Sequence, residues 1–141
     1  MGQFTEDRYV MQSRLDRIAE ARRWATQQAR AAGFDEDGVS AIELALAEAL
    51  ANVIEHGYQG DENQEIRLTL RIDDEKLTLT IRDFGQKFDP QSYSPPDLSN
   101  PSEGGYGVFL IHQLMDEVIY DTSLPQGMKL TLVRYRTPRG D

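Results

Sequence analysis

The run Glu43-Leu-Ala-Leu-Ala-Glu48-Ala-Leu-Ala-Asn52-Val-Ile-Glu55-His56-Gly57 decides how the rest of this chain is read. Wound as a helix, it puts Ile42, Ala45, Leu46, Ala49, Leu50 and Val53 on one apolar side. Glu48, Asn52, Glu55 and His56 recur at three- and four-residue steps and form a second, polar stripe. A solvated helix face would account for the glutamates and the histidine. It does not account for Asn52, a poor helix former set deep in an alanine-rich helix, whose side-chain oxygen needs a use. Asp35 to Asp37 supply the acidic start that a helix dipole favours, and Gly57 the stop.

Upstream, Phe4 to Gln12 reads as a short opening strand. Ser13 is the expected N-cap of a first helix that runs to about Ala32 and ends at Gly33. Leu15, Ile18, Ala21 or Arg22, Ala25 and Ala29 give that helix a modest apolar stripe. Downstream, the period changes from helical to alternating. Ile66, Leu68, Leu70 and Ile72 share one face of a strand, and Leu77, Leu79 and Ile81 one face of the next, with a hairpin turn at Asp73 and Asp74. Residues 84–105 hold three glycines, four prolines and several serines, the composition of a long loop that acts as a lid or a binding segment. A third helix follows from about Gly107 to Met115. Strands near Val118–Asp121 and Met128–Tyr135 close the chain, joined by a turn around Pro125 to Gly127.

Five strands in adjacent pairs and three helices predict an α+β, two-layer sandwich: a mixed, mostly antiparallel sheet with the helices on one face. The 141 residues fit one domain, with a core from about 9 to 135 and a lid from about 86 to 105. There are no cysteines, which removes disulfides, thiolate metal sites and cysteine nucleophiles. Two histidines are too few for a His-rich metal cage. A net charge of −9 without a basic stripe argues against direct nucleic-acid binding. No apolar run reaches bilayer length, and no signal-peptide pattern opens the chain, so a cytoplasmic location without membrane contact is expected.

Two further elements join the polar stripe. Asp83-Phe84-Gly85 follows the Leu77–Ile81 strand directly, placing a carboxylate at a strand end beside a glycine that permits close backbone approach. Alone, such a tripeptide is a common turn. Gly104-Gly105-Tyr106-Gly107 precedes the third helix, where exposed amides can hold phosphate oxygens, although a turn or cap would read the same. No Walker-type or Rossmann-type glycine motif is present.

In this order, Glu48…Asn52…His56, Asp83-Phe-Gly85, a long lid and Gly105-Tyr-Gly107 resemble the N, G1 and G2 boxes of the GHKL ATPase superfamily. The resemblance runs from about Tyr9 to Tyr135. The Glu-Ala-Leu-Ala-Asn-Val-Ile-Glu-His-Gly-Tyr run and Phe88-Asp-Pro90 look most like the anti-sigma-factor serine kinases. It implies a Bergerat-type ATP-binding fold and a kinase that uses Mg-ATP to phosphorylate a serine on a STAS-domain anti-anti-sigma partner. It also implies binding of a sigma factor, and homodimerisation.

Carried over by residue, the resemblance makes Asn52 the Mg²⁺ ligand and Glu48 the catalytic base. His56 would lie near the phosphates, and Asp83 would accept from the adenine amino group. Gly85 would allow close approach, and Gly105 and Gly107 would hinge the lid and offer amides to phosphate. Two positions depart from the family pattern: Lys87 stands where a second G1 glycine is common, and Gly127-Met128 where a Gly-Thr pair is common. Arg22 and Arg23 are the candidate partner surface, a solvated helix face being the equal alternative. A reading of another class is an ATP-gated protein-binding module without phosphotransfer. Glu48 separates the two, since a pure binder needs Asn52 but no base.

Overall fold

The computed structural model describes residues 3–88 and 106–136, and both parts belong to one two-layer arrangement. Five strands, β1 (Thr5–Gln12), β2 (Glu65–Ile72), β3 (Lys76–Asp83), β4 (Glu117–Asp121) and β5 (Lys129–Tyr135), form one sheet in the order β1-β2-β3-β5-β4. Every pairing is antiparallel, so the expected mixed sheet is antiparallel throughout the described residues. Three helices, α1 (Ile18–Ala31), α2 (Glu36–Asn52) and α3 (Tyr106–Leu114), complete the fold, and α2 packs against both α1 and α3.

Strand alternation sorts the sheet into two faces. Ile66, Leu68, Leu70, Ile72, Leu77, Leu79, Ile81 and Leu132 are fully or almost fully buried, whereas Arg67 and Arg71 between them are exposed. Against the apolar face lie Ile42, Ala45, Leu46, Ala49, Leu50 and Val53, all buried, as the helical spacing predicts. Burying each large aliphatic side chain contributes about 1.5–3 kcal/mol, so this helix–sheet contact is a large part of what holds the fold. In α1 the small residues of the stripe, Ala21, Ala25 and Ala29, are buried, while Leu15, which lies ahead of the helix, is 56% exposed.

The helix ends carry recognisable chemistry. Asp35 caps α2, its carboxylate accepting from Gly38 N at 2.8 Å. The α1 helix closes on Gly33 at φ +94°, with Phe34 N donating to Ala29 O and Gly33 N to Arg30 O, the Schellman pattern. At the other end the reading of Ser13 is corrected. Its side chain caps no helix, since α1 begins at Ile18 after a 3₁₀ turn over Leu15–Arg17 and has no side-chain cap. Ser13 is instead fully buried; its hydroxyl accepts from Gln64 N at 3.1 Å and donates to Asp61 O, pinning the end of β1 to the loop before β2. The sequence around Ser13 carries a cap residue and a helix, but long-range pairing takes the hydroxyl first.

Ser13→Ala should therefore destabilise the protein by about 1–3 kcal/mol, because it removes both hydrogen bonds that pin the end of β1 to the loop before β2. Urea unfolding followed by circular dichroism checks this, and the native helical signal should remain unchanged. A loss of helix content in the folded variant would restore the capping role.

Candidate functional site

The polar stripe of α2 ends where the helix widens. After Asn52, one turn of π-helix spans Val53–Gly57, with Tyr58 N reaching back five residues to Val53 O at 2.9 Å. That turn meets the end of β3. Gln86 N donates to Gly57 O at 2.6 Å, and a Cβ on Gly85 would sit well inside van der Waals distance of the Gly57 carbonyl. No side chain fits at Gly85, so the close approach it permits here is to the π turn of its own chain. Tyr58 completes the junction, its hydroxyl accepting from Phe84 N at 2.7 Å and donating to Glu65 O.

Asp83 faces the interior because it continues the Leu77, Leu79, Ile81 alternation by one step. It is 2% exposed, and Oδ1 accepts from Gly85 N at 2.9 Å. Phe84 turns the other way, with the guanidinium groups of Arg82 and Arg67 4.2 and 4.9 Å from its ring centre. Burial pushes the Asp83 carboxyl above its ordinary range, partly offset by the Gly85 amide, Arg82 and the Met128 backbone. Behind Asp83 lies Gly127, at φ +71°, so tight against the Asp83 and Phe84 backbone that only glycine fits.

Asp83 and Asn52 line one small pocket between α2 and the sheet, together with Ala49, Val53, Phe88, Tyr120, Met128 and Leu130. Asn52 is half-buried, and among the described residues its side-chain amide has no hydrogen-bond partner. Glu48, one turn earlier, is also half-buried, and its carboxylate makes no ion pair or hydrogen bond among the described residues. Gly107, near the start of α3, leaves the room that Glu48 uses, since a Cβ there would meet Glu48 Oε2 at 2.5 Å. His56 is half-buried with its ring 5.6 Å from that of Phe88, and Glu55 is exposed. Gly105 and the expected lid from residue 89 onward lie outside the described residues, as does most of Phe88-Asp-Pro90.

Three features of this site were not singled out from sequence. The π turn has no residue signature, Tyr58 reads as an ordinary aromatic after the helix, and Tyr120 is hidden in a short strand. An aromatic hydroxyl on the core-facing phase of a strand is the signal that marks Tyr120. Of the candidate partner arginines, Arg22 pairs with Glu43 of α2 at 3.3 Å, and Arg23 is exposed.

The site fits a nucleotide and a hard cation on its own terms. A buried acceptor at Asp83, an uncommitted amide at Asn52 and an uncommitted carboxylate at Glu48 are polar groups that the fold leaves available. No group of three or more acidic or histidine side chains among the described residues could hold a metal alone. Asn52 thus suits a cation that takes its other ligands from phosphates and water.

Asp83 also makes a prediction about pH. A carboxyl whose pKa is raised in the folded chain holds its proton more tightly than in the unfolded chain, so its contribution favours folding at low pH and is lost as pH rises. Asp83→Asn keeps an acceptor for Gly85 N without the buried charge. Without ligand, its melting temperature should exceed that of wild type by a few degrees at pH 7, and the difference should close as pH falls toward the ordinary value of 3.8. Calorimetric melts at several pH values measure both.

Comparison with known proteins places the fold. The model of the histidine kinase-like ATPase domain matches residues 11–134. The serine-protein kinase RsbW of Listeria monocytogenes serovar 1/2a is 32% identical over 114 residues, covering 74% of this chain and 70% of that protein. The RsbW of Halalkalibacterium halodurans is 37% identical over 94 residues, 61% of this chain and 57% of that protein. Among solved structures, the RsbU and RsbW domains of a Mycobacterium tuberculosis protein superpose with a TM-score of 0.70 at 18% identity, over 95% of this chain and 33% of that one. A blue-light activated histidine kinase from Erythrobacter litoralis gives 0.56 at 21% identity, over 85% of this chain and 58% of that one. The two structures share the fold, the RsbW kinases share about a third of the aligned residues, and the chain belongs to the histidine kinase-like ATPase family.

Proposed function

We propose that this chain is a Mg-ATP-dependent protein-serine kinase and anti-sigma factor, and that it phosphorylates a serine of a STAS-domain anti-anti-sigma partner. The observation that carries the kinase reading is the Glu48 carboxylate, unpaired among the described residues, one helical turn from Asn52, which shares a pocket with the buried Asp83. The similarity to proteins named serine-protein kinase RsbW supports the substrate class. No helix among the described residues is long and apolar enough to cross a membrane.

In this reading Asp83 accepts from the adenine amino group and so fixes the base end of the nucleotide. Asn52 Oδ1 would hold Mg²⁺, which when bound neutralises phosphate charge. Glu48 takes the proton of the attacking serine hydroxyl as the serine oxygen bonds to the γ-phosphorus. The bond from that phosphorus to the bridging oxygen breaks, ADP leaves with the electron pair, and the proton rests on Glu48. The barrier is lowered chiefly by holding the hydroxyl, the base and the phosphorus in line.

Two expectations follow from these roles. ATP should bind more tightly than GTP by roughly 10- to 100-fold, because the Asp83 carboxylate would face the guanine carbonyl, acceptor against acceptor. Equal affinities in a calorimetric titration would remove Asp83 from the base site. Asn52→Ala should weaken Mg-ATP binding and lose transfer as a consequence. Glu48→Gln should bind Mg-ATP nearly as wild type yet transfer phosphate to a STAS-domain substrate about 10²–10⁴-fold more slowly. If Glu48→Gln transfers at the wild-type rate, Glu48 is not the base. If the wild type binds ATP and transfers to no STAS-domain protein, the chain is an ATP-gated binding module.

A further inference from the structure

Among the described residues, one buried side-chain polar atom has no hydrogen-bond partner: the hydroxyl oxygen of Tyr120. Its position follows from the strand. In β4, Ile119 points outward and is 52% exposed, while Tyr120 stands opposite Leu130 of β5, on the face that the helices cover. The ring lies 6.3 Å from that of His112 and lines the same pocket as Asp83, Asn52 and Met128. Phenylalanine would fill this volume without burying a polar atom, so the hydroxyl costs stability in the ligand-free chain. A polar group kept at such a cost, in a pocket beside a second buried polar group, has its partner in what the pocket receives.

Resting on the nucleotide reading above, we infer that Tyr120 is a base-specificity residue, donating from its hydroxyl to the adenine ring nitrogen, N1 or N7, that flanks the amino group bound by Asp83. Adenine presents a donor and an acceptor side by side on each of these edges, and a carboxylate next to a phenol is the complementary pair. The neighbouring position explains why the hydroxyl is needed here. Met128, buried at 3%, offers the pocket only a thioether, a poor hydrogen-bond partner for a ring nitrogen. Burial pushes the Tyr120 phenol up to about 12, so it remains a protonated donor at neutral pH.

The test is calorimetric titration of wild type and Tyr120→Phe with ADP, 1-deaza-ADP and 7-deaza-ADP in the presence of Mg²⁺, together with melts of both ligand-free proteins. Tyr120→Phe should bind ADP about 3- to 10-fold more weakly. Wild type should lose a similar factor with one of the deaza compounds, and Tyr120→Phe should lose nothing further with that same compound. The ligand-free variant should melt at or above the wild-type temperature. If wild type binds ADP and the variant binds it equally well, Tyr120 is not a base contact while the nucleotide reading stands. If the variant melts lower, or keeps both deaza penalties in full, the hydroxyl serves the fold and the inference fails. If wild type binds neither ADP nor ATP, the nucleotide reading fails and takes the inference with it.

Discussion

The structure turns on the contact between the last turn of α2 and the first residues after β3. A helix lying on a sheet is free to slide along it as long as only apolar side chains meet. Here the slide is stopped by backbone: Gly57 O receives Gln86 N, and Gly85 sits where no Cβ fits. The π turn is what brings the Gly57 carbonyl to that point, and Tyr58 ties it to both Phe84 and the start of β2. Asn52 and Asp83 stand 31 positions apart in the sequence, and this contact sets their spacing across the pocket. A change that loosened it would shift both side chains against each other before it exposed any core.

The polar groups around the pocket are poorly provided for by the fold itself. Asp83 is buried with little besides backbone groups and Arg82 to offset its charge, Tyr120 has a sealed hydroxyl, and Asn52 and Glu48 lack side-chain partners among the described residues. Elsewhere the chain treats such groups differently. Ser13 is equally buried and uses its hydroxyl both as donor and as acceptor. Asp73 takes the amides of Glu75 and Lys76 at the β2–β3 turn, and Asp35 takes Gly38 N. The one buried side-chain polar atom without a partner among the described residues, the Tyr120 hydroxyl, thus lines the same pocket as the buried Asp83, where ligand binding would relieve it. Local sacrifice of stability for a site is the usual reason for that pattern.

Much of this was legible because periodicity survives without a structure. The alternation through Ile66–Ile72 and Leu77–Ile81 identifies the central hairpin, and one more step of the same alternation puts Asp83 indoors. The apolar and polar stripes of α2 could be separated by helical spacing alone. What could not be read depends on contacts distant in sequence. Ser13 carries the right residue type for a cap, yet its partners, Gln64 and Asp61, are about fifty residues away. Gly85 was marked as a place of close approach, but nothing local says that the approaching group is the Gly57 carbonyl. The π turn arises from how Val53–Gly57 must meet β3, and helix propensity carries no trace of it.

The acidic character of the chain bears on how such a pocket can work. A net charge of −9 gives no general attraction for a triphosphate, and the ionisable group one turn before Asn52, Glu48, is itself an acid. Affinity in the proposed reading must then come from the base end, where burial makes hydrogen bonds selective, and from a cation that arrives with the phosphates. A neutral ligand at Asn52 suits that division. A carboxylate there would bind a metal on its own and hold it after the nucleotide had gone. An amide binds weakly unless phosphate oxygens complete the shell, which in the proposed reading would couple the metal to the nucleotide and leave the Glu48 carboxylate uncoordinated and able to accept a proton.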